Sequence, residues 1–198
     1  MENNAYYKLN VIAILSSLVN PIPAHADSSA SLTKGAPNWY FLGGIGSSHP
    51  GWGDTVEKVE TTDLILRRET TDGTTRGSGW YLNKQSMMIE IPIHILREPD
   101  EPPMFGISFQ ACWTFTANET TQPYVFVGGG PVYTQADIPG TSSEVRGSYG
   151  GGVGLKINSG PMQYLLEYRY HHLSNGGIKE PNDPLNSDKF LVGVKLPF

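Results

Sequence analysis

Segments in which apolar and polar residues alternate one for one limit this chain more than any other feature. In the clearest, Phe105, Ile107, Phe109, Ala111, Trp113 and Phe115 share one face, while Gly106, Ser108, Gln110, Cys112 and Thr114 share the other. Successive side chains of a strand point to opposite sides, so a period of two marks a strand between two different environments. The pattern returns at Val145–Ile157, where Val145, Tyr149, Val153, Leu155 and Ile157 oppose Arg146, Ser148, Gly150, Gly152 and Lys156. At Met87–Ile95, Ile89, Ile91 and Ile93 oppose Glu90, Pro92 and His94. Near the end, Tyr164, Leu166, Tyr168 and Tyr170 oppose Gln163, Glu167, Arg169 and His171; then Phe190, Val192, Val194, Leu196 and Phe198 share a face. Weaker patterns over Asn38–Ser47, Val59–Arg68 and Pro123–Thr134 bring the expected strands to eight. The fold class is all-β.

Two architectures accept such strands. In a soluble sandwich the apolar face is the core; in a membrane barrel it faces lipid and the polar face fills the interior. Three features favour the barrel. The strands reach the ten or so residues that a tilted span needs. The last strand alternates up to the terminal Phe198, the usual ending of bacterial outer-membrane barrels. Residues 1–26 read as a secretory signal: Lys8 precedes the apolar run Leu9–Val19, and Ala24-His25-Ala26 supplies small residues for cleavage. That run is too short to span a bilayer comfortably. The expectation is a signal peptide over 1–26 and an eight-stranded antiparallel transmembrane β-barrel over 27–198. Phe105, Ile107, Trp113, Tyr168, Val192 and Phe198 should lie on its outer surface.

Composition agrees. Gly (23) and Pro (15) are abundant and charged residues are only 17%, which suits strands and tight turns. A net charge of −5 with no basic run excludes nucleic acid as a partner. One cysteine, Cys112, rules out an intrachain disulfide and fits a buried strand position. No zinc-type Cys/His spacing occurs, so no metal or other cofactor is expected. The clusters Gly128–Gly130 and Gly150–Gly152 lie inside strands with no Gly-Lys-Ser/Thr after them, and are read as allowing sharp coiling rather than holding phosphate. Glu90, His94, Glu167 and Arg169 fall on the interior face and are read as a hydrogen-bonded network filling a small barrel. With the C-terminus periplasmic, Asn118–Gln122 and Asn158–Gly160 are short periplasmic turns. His49–Lys58, Glu98–Pro103, Gln135–Ser143 and Leu173–Ser187 are extracellular connections. The Thr70–Gln85 connection is too long for its side, so either the second strand is misplaced or the third begins earlier, near Trp80.

The chemistry concentrates between His172 and Asp188, HLSNGGIKEPNDPLNSD. Residues two apart in a strand share a face with Cα atoms roughly 6.6 Å apart, so His172 and Ser174 can approach as a general base and its nucleophile must. Both continue the outward face of Tyr168 and Tyr170, and Asp188 continues that of Phe190. Polar groups there are costly without a purpose. His171 has the opposite parity and reads as structural. A hydrolase site on the outside wall, at the height of the outer leaflet, implies a substrate that is itself an outer-leaflet lipid.

The segment Tyr168–Asp183, YRYHHLSNGGIKEPND, resembles the signature of the lipid A 3-O-deacylases, the PagL family, and Pro123–Pro131, PYVFVGGGP, resembles that family's fifth strand. The resemblance covers about Pro123 to Phe198. It implies an eight-stranded outer-membrane barrel hydrolysing the ester at position 3 of lipid A, without cofactor. It implies Ser174 as nucleophile, His172 as general base and Asn182 in the oxyanion hole, with Asn175 and the N–H groups of Gly176 and Gly177 assisting. The third triad position departs from the family's glutamate. Counting from Ser174 it holds Asn186; counting back from the C-terminus it holds Asp188. Asp188 is preferred, because a carboxylate orients an imidazolium better than an amide and a pairing of His172 with Asp188 sets Tyr170 against Phe190, Tyr168 against Val192, Leu166 against Val194 and Tyr164 against Leu196. Expected partners are lipid A or lipopolysaccharide as substrate and outer-membrane lipid as surroundings, with a homodimer as a candidate assembly. The alternative reading is a catalytically inactive barrel with a structural or adhesive role.

Overall fold

The computed structural model describes residues 36–97 and 101–197. The expected signal segment 1–26 and the outward placement of Phe198 lie outside the described residues. The strands are β1 (Asn38–Ser48), β2 (Glu60–Arg76), β3 (Asn83–Leu96), β4 (Met104–Gly106), β5 (Ser108–Phe115), β6 (Thr121–Tyr133), β7 (Val145–Ser159), β8 (Met162–Ser174) and β9 (Leu185–Lys195). β4 and β5 are one stave interrupted at Ile107: both pair with β3 on one side and β6 on the other. Eight antiparallel staves result, and β9 pairs back onto β1, closing the barrel. Closure leaves no strand edge, which is what a sheet in lipid requires.

Alternation maps onto the wall as expected. Phe105, Ile107, Phe109, Tyr168 and Val192 are exposed on the outside and Trp113 is half-buried, while Ser108, Gln110, Cys112 and Thr114 are buried inside. The outward band is apolar on the other staves too, including Phe41, Ile45, Ile91, Val125, Val127, Val153, Leu166 and Phe190; on β2 it is carried by the half-buried Leu64 and Leu66. This is the surface of a membrane barrel. Val153 lies near mid-strand, 54% exposed and flanked by Val125 and Tyr168 on the neighbouring staves. Val153→Arg should destabilise the barrel in a bilayer by roughly 2–4 kcal/mol. The same change at Thr74, in the β2–β3 hairpin, should cost little. Urea titration of both variants in vesicles checks the difference.

The lumen is filled. Its lower part packs Tyr40, Leu42, Ile65, Met88, Cys112, Tyr124, Phe126, Leu165 and Leu191, and its upper part Val59, Leu96, Met104, Val132, Ile138, Leu173 and Leu185. An ionic lattice shares the lumen with them and interleaves with the lower cluster. Arg67 donates to Glu90 (2.7 Å) and Glu167 (2.6 Å), Arg169 bonds both glutamates, and Tyr124 donates to Glu167 at 2.6 Å. Lys156 pairs with Glu69 at 2.7 Å, and Lys189 with Asp63 at 2.8 Å beside His94. Interior glycines make room for rings: a Cβ on Gly154 would lie 2.3 Å from the Tyr124 ring, and one on Gly152 would lie 2.6 Å from Phe126.

Two expectations change. β2 runs on to Arg76 and β3 starts at Asn83, so the long Thr70–Gln85 connection is a hairpin turn of residues 77–82, with a register shift between Thr71 and Thr75. The β8–β9 pairing is displaced by two: His172 faces Asn186, Tyr170 faces Asp188, Tyr168 faces Phe190, Leu166 faces Val192 and Tyr164 faces Val194. A shift by an even number keeps every apolar residue on the lipid side, so alternation alone does not distinguish the two pairings. Short turns (77–82, 116–120, 160–161) cluster at one rim and the longer loops (49–59, 134–144, 175–184) at the other, the upper rim.

Candidate active site

β8 delivers His172 and Ser174 to the upper rim on the outward face, while His171 turns inward to lie 5.3 Å from the His94 ring, centroid to centroid. His172 Nε2 and Ser174 Oγ are 3.1 Å apart. His172 Nδ1 lies 2.7 Å from Asn186 Oδ1 across the β8–β9 ladder. An amide oxygen only accepts, so Nδ1 carries the proton and Nε2 presents its lone pair to the serine hydroxyl. Ser174, His172 and Asn186 thus form a continuous hydrogen-bonded relay.

Asp188 is not part of that relay. It stands opposite Tyr170 and Ser47, accepts from Tyr168 OH at 2.5 Å and contacts His49 Nε2 at 3.1 Å. The displaced register is the reason: two residues along a strand carry Asp188 one step further down the wall.

The loop after Ser174 is held by its own asparagines. Asn175 is buried; its N–H donates to Asn182 Oδ1 (2.8 Å), its side-chain amide donates to Lys179 O (2.6 Å), and its Oδ1 accepts from Gly177 N–H (2.9 Å). Asn175 and the Gly177 N–H, two of the expected oxyanion donors, are therefore spent inside the loop. Asn182 Nδ2 and the Gly176 N–H stay outside these bonds. Gly176 and Gly177 both have positive φ (67° and 76°), which turns the chain sharply away from Ser174 at no steric cost. Asn182 also bridges to Thr141, and Asp183 N–H donates to Gly140 O at 2.6 Å, so the loop leans on residues 134–144.

Four residues around the relay escaped the sequence reading. Tyr149 stacks on the His172 ring at 4.2 Å between centroids. The signal for it was present: the two-residue turn Gly160-Pro161 sets the β7–β8 register, and that register puts Tyr149 opposite His172. Tyr170 OH donates to Asn186 Oδ1 at 2.6 Å, a contact its outward parity permits but does not reveal. Trp52 and Thr55 come from the first upper loop. Trp52 O accepts from Asn186 Nδ2 at 2.9 Å, and Thr55 Oγ1 accepts from the same nitrogen at 3.0 Å. No local pattern links them to β9. Among the described residues no cluster of His, Cys, Asp and Glu has the makings of a metal centre.

Known structures share this architecture. The crystal structure of Neisserial surface protein A (NspA) aligns with a TM-score of 0.61 at 12% identity, covering 83% of this chain and 99% of that one. The crystal structure of the outer membrane enzyme PagL aligns with a TM-score of 0.53 at 17% identity, covering 82% of this chain and all of that one. No curated protein sequence matches the chain. At these identities the likeness speaks to the fold. The sequence itself goes further: the family model of the lipid A 3-O-deacylases (PagL) matches residues 67–195, which holds most of the barrel and the whole His172–Asn186 relay. This chain belongs to the lipid A 3-O-deacylase (PagL) family.

Proposed function

We propose that this protein is an outer-membrane serine esterase that removes the 3-O-linked acyl chain from lipid A. The observation that carries the reading is the Ser174–His172–Asn186 relay standing on the lipid-facing side of the wall. Ser174 Oγ attacks the ester carbonyl as His172 Nε2 takes its proton. The tetrahedral intermediate collapses, the O3 alkoxide leaves with the proton from His172, and the acyl chain stays on Ser174. Water, deprotonated by His172, then attacks the acyl-enzyme and releases the 3-hydroxy fatty acid. Asn182 Nδ2 and the Gly176 N–H are the donors left to meet the oxyanion; a well-placed donor is worth about 3 kcal/mol in the transition state. His172 stays in the outer leaflet, where its substrate already lies, so no transfer through water is needed.

Asn186 orients the imidazole but brings no negative charge to the imidazolium. Asn186→Ala should lower kcat roughly 100-fold, short of the ~10⁴ that a triad carboxylate is worth. Asp188→Asn should change kcat by less than about threefold, the range of a surface substitution away from the reacting atoms. Assays on purified lipid A compare the two. A large loss with Asp188→Asn and none with Asn186→Ala would return the role to Asp188.

The second reading is a barrel without catalysis, favoured by the amide at position 186 and by the fold shared with NspA. Mass spectrometry of lipid A from cells expressing the protein separates the two. Loss of one 3-hydroxyacyl chain with wild type, and none with Ser174→Ala at equal barrel content, supports the esterase. Identical lipid A in both strains supports the silent barrel.

A further inference from the structure

The Asn186 amide has all four hydrogen-bond positions filled, and each partner dictates which end faces it. Oδ1 accepts from Tyr170 OH (2.6 Å) and from His172 Nδ1 (2.7 Å). Nδ2 donates to Trp52 O (2.9 Å) and Thr55 Oγ1 (3.0 Å). Trp52 O is a backbone carbonyl and only accepts. Thr55 Oγ1 gives its own proton to Pro184 O at 3.0 Å and accepts from the Asn186 backbone N–H at 3.0 Å, so its lone pairs face Asn186. Turning the amide over would set oxygen against oxygen at Trp52 and against the lone pairs of Thr55, and would hand His172 Nδ1 a donor, the opposite tautomer. Asn186 is buried, so water cannot relieve either conflict.

We propose that Thr55, acting with the Trp52 carbonyl, is a positioning element of the site. The first upper loop locks the Asn186 amide with its oxygen on His172, and thereby selects the histidine tautomer that leaves Nε2 free for Ser174. The inference rests on the esterase reading for its kinetic consequence, but the tautomer is a property of the resting protein. It also makes the pocket around position 186 a pocket for an amide. A carboxylate there would turn its second oxygen toward Trp52 O and the Thr55 lone pairs.

The loop is built for this approach. Gly53 (φ 58°) lies so close that a Cβ would stand 3.0 Å from Asn186 Nδ2. Thr55 N–H donates to Trp52 O (3.4 Å), Gly51 N–H to Thr55 O (2.9 Å), and His49 N–H to Asn186 O (3.2 Å), so the turn is tied to itself and to β9. The Trp52 ring meets Tyr170 edge-on at 5.5 Å and His49 at 5.4 Å. His49 in turn contacts Asp188, which gives that carboxylate a place in the support of the loop.

Thr55→Val keeps the shape and removes the acceptor. It should lower kcat about tenfold with KM little changed, and Thr55→Ser should restore the rate. Asn186→Asp should lower kcat rather than raise it. Nitrogen-15 NMR of histidine-labelled protein reads the tautomer directly, with the His172→Gln spectrum identifying the resonance. Wild type and Thr55→Ser should show Nδ1 protonated and Nε2 bare, and Thr55→Val should show a tautomer mixture. A single unchanged tautomer in Thr55→Val, or an Asn186→Asp enzyme faster than wild type, overturns the proposal. If wild type and Ser174→Ala give the same lipid A, the esterase reading fails, and the NMR comparison still decides the role of Thr55.

Discussion

Ser174→Ala and His172→Ala are each expected to reduce kcat/KM for 3-O-deacylation by roughly 10⁴–10⁶-fold, because nucleophile and base act as a unit and losing either forfeits nearly all they achieve together. The 3.1 Å contact between His172 Nε2 and Ser174 Oγ is the geometry behind the expectation. On the proposed esterase mechanism, Ser174→Ala removes the atom that bonds to the acyl carbon. His172→Ala leaves a hydroxyl with nothing to take its proton. His171→Ala is the control: its ring points into the lumen beside His94, so the rate per folded molecule should stay within a few-fold of wild type. Kinetics on purified lipid A, normalised to folded barrel, make the comparison. Equal losses for both histidines would mean that the two faces of β8 had been exchanged.

Arg67→Ala should be the most damaging single change to stability, by about 3–5 kcal/mol. Arg67 is fully buried, bonds Glu90 and Glu167 at once, and lies over the Phe126 ring. Without it two buried carboxylates share Arg169 alone, and one negative charge stays uncompensated in the lumen. The double variant Arg67→Met with Glu167→Gln removes one charge of each sign and should recover a large part of the loss. Urea unfolding in vesicles measures both. A single variant as stable as wild type would show the lattice to be dispensable packing.

Much of this protein was legible along the chain. Alternation tells which side of the wall each residue occupies, because the side of a strand depends only on odd or even position. From that came the outward Phe105, Ile107 and Tyr168, the buried Cys112, and the separation of His171 from His172. The short turn Gly160-Pro161 even carried the pairing of Tyr149 with His172. Parity, however, is blind to a shift of two. β8 and β9 are joined by residues 175–184, a loop too long to hold a register by turn geometry, so whether Asn186 or Asp188 meets His172 was settled by how the barrel closes. The partners of the lumen charges were settled the same way. Arg67 and Glu167 are 100 residues apart, and nothing local prefers one interior glutamate over another. Thr55 reaches Asn186 over 131 residues because closure brings the first loop beside the last strand. What faces lipid and what faces the lumen is a local property of the chain; which residue meets which across the barrel depends on stagger and closure, and only the tertiary structure decides those.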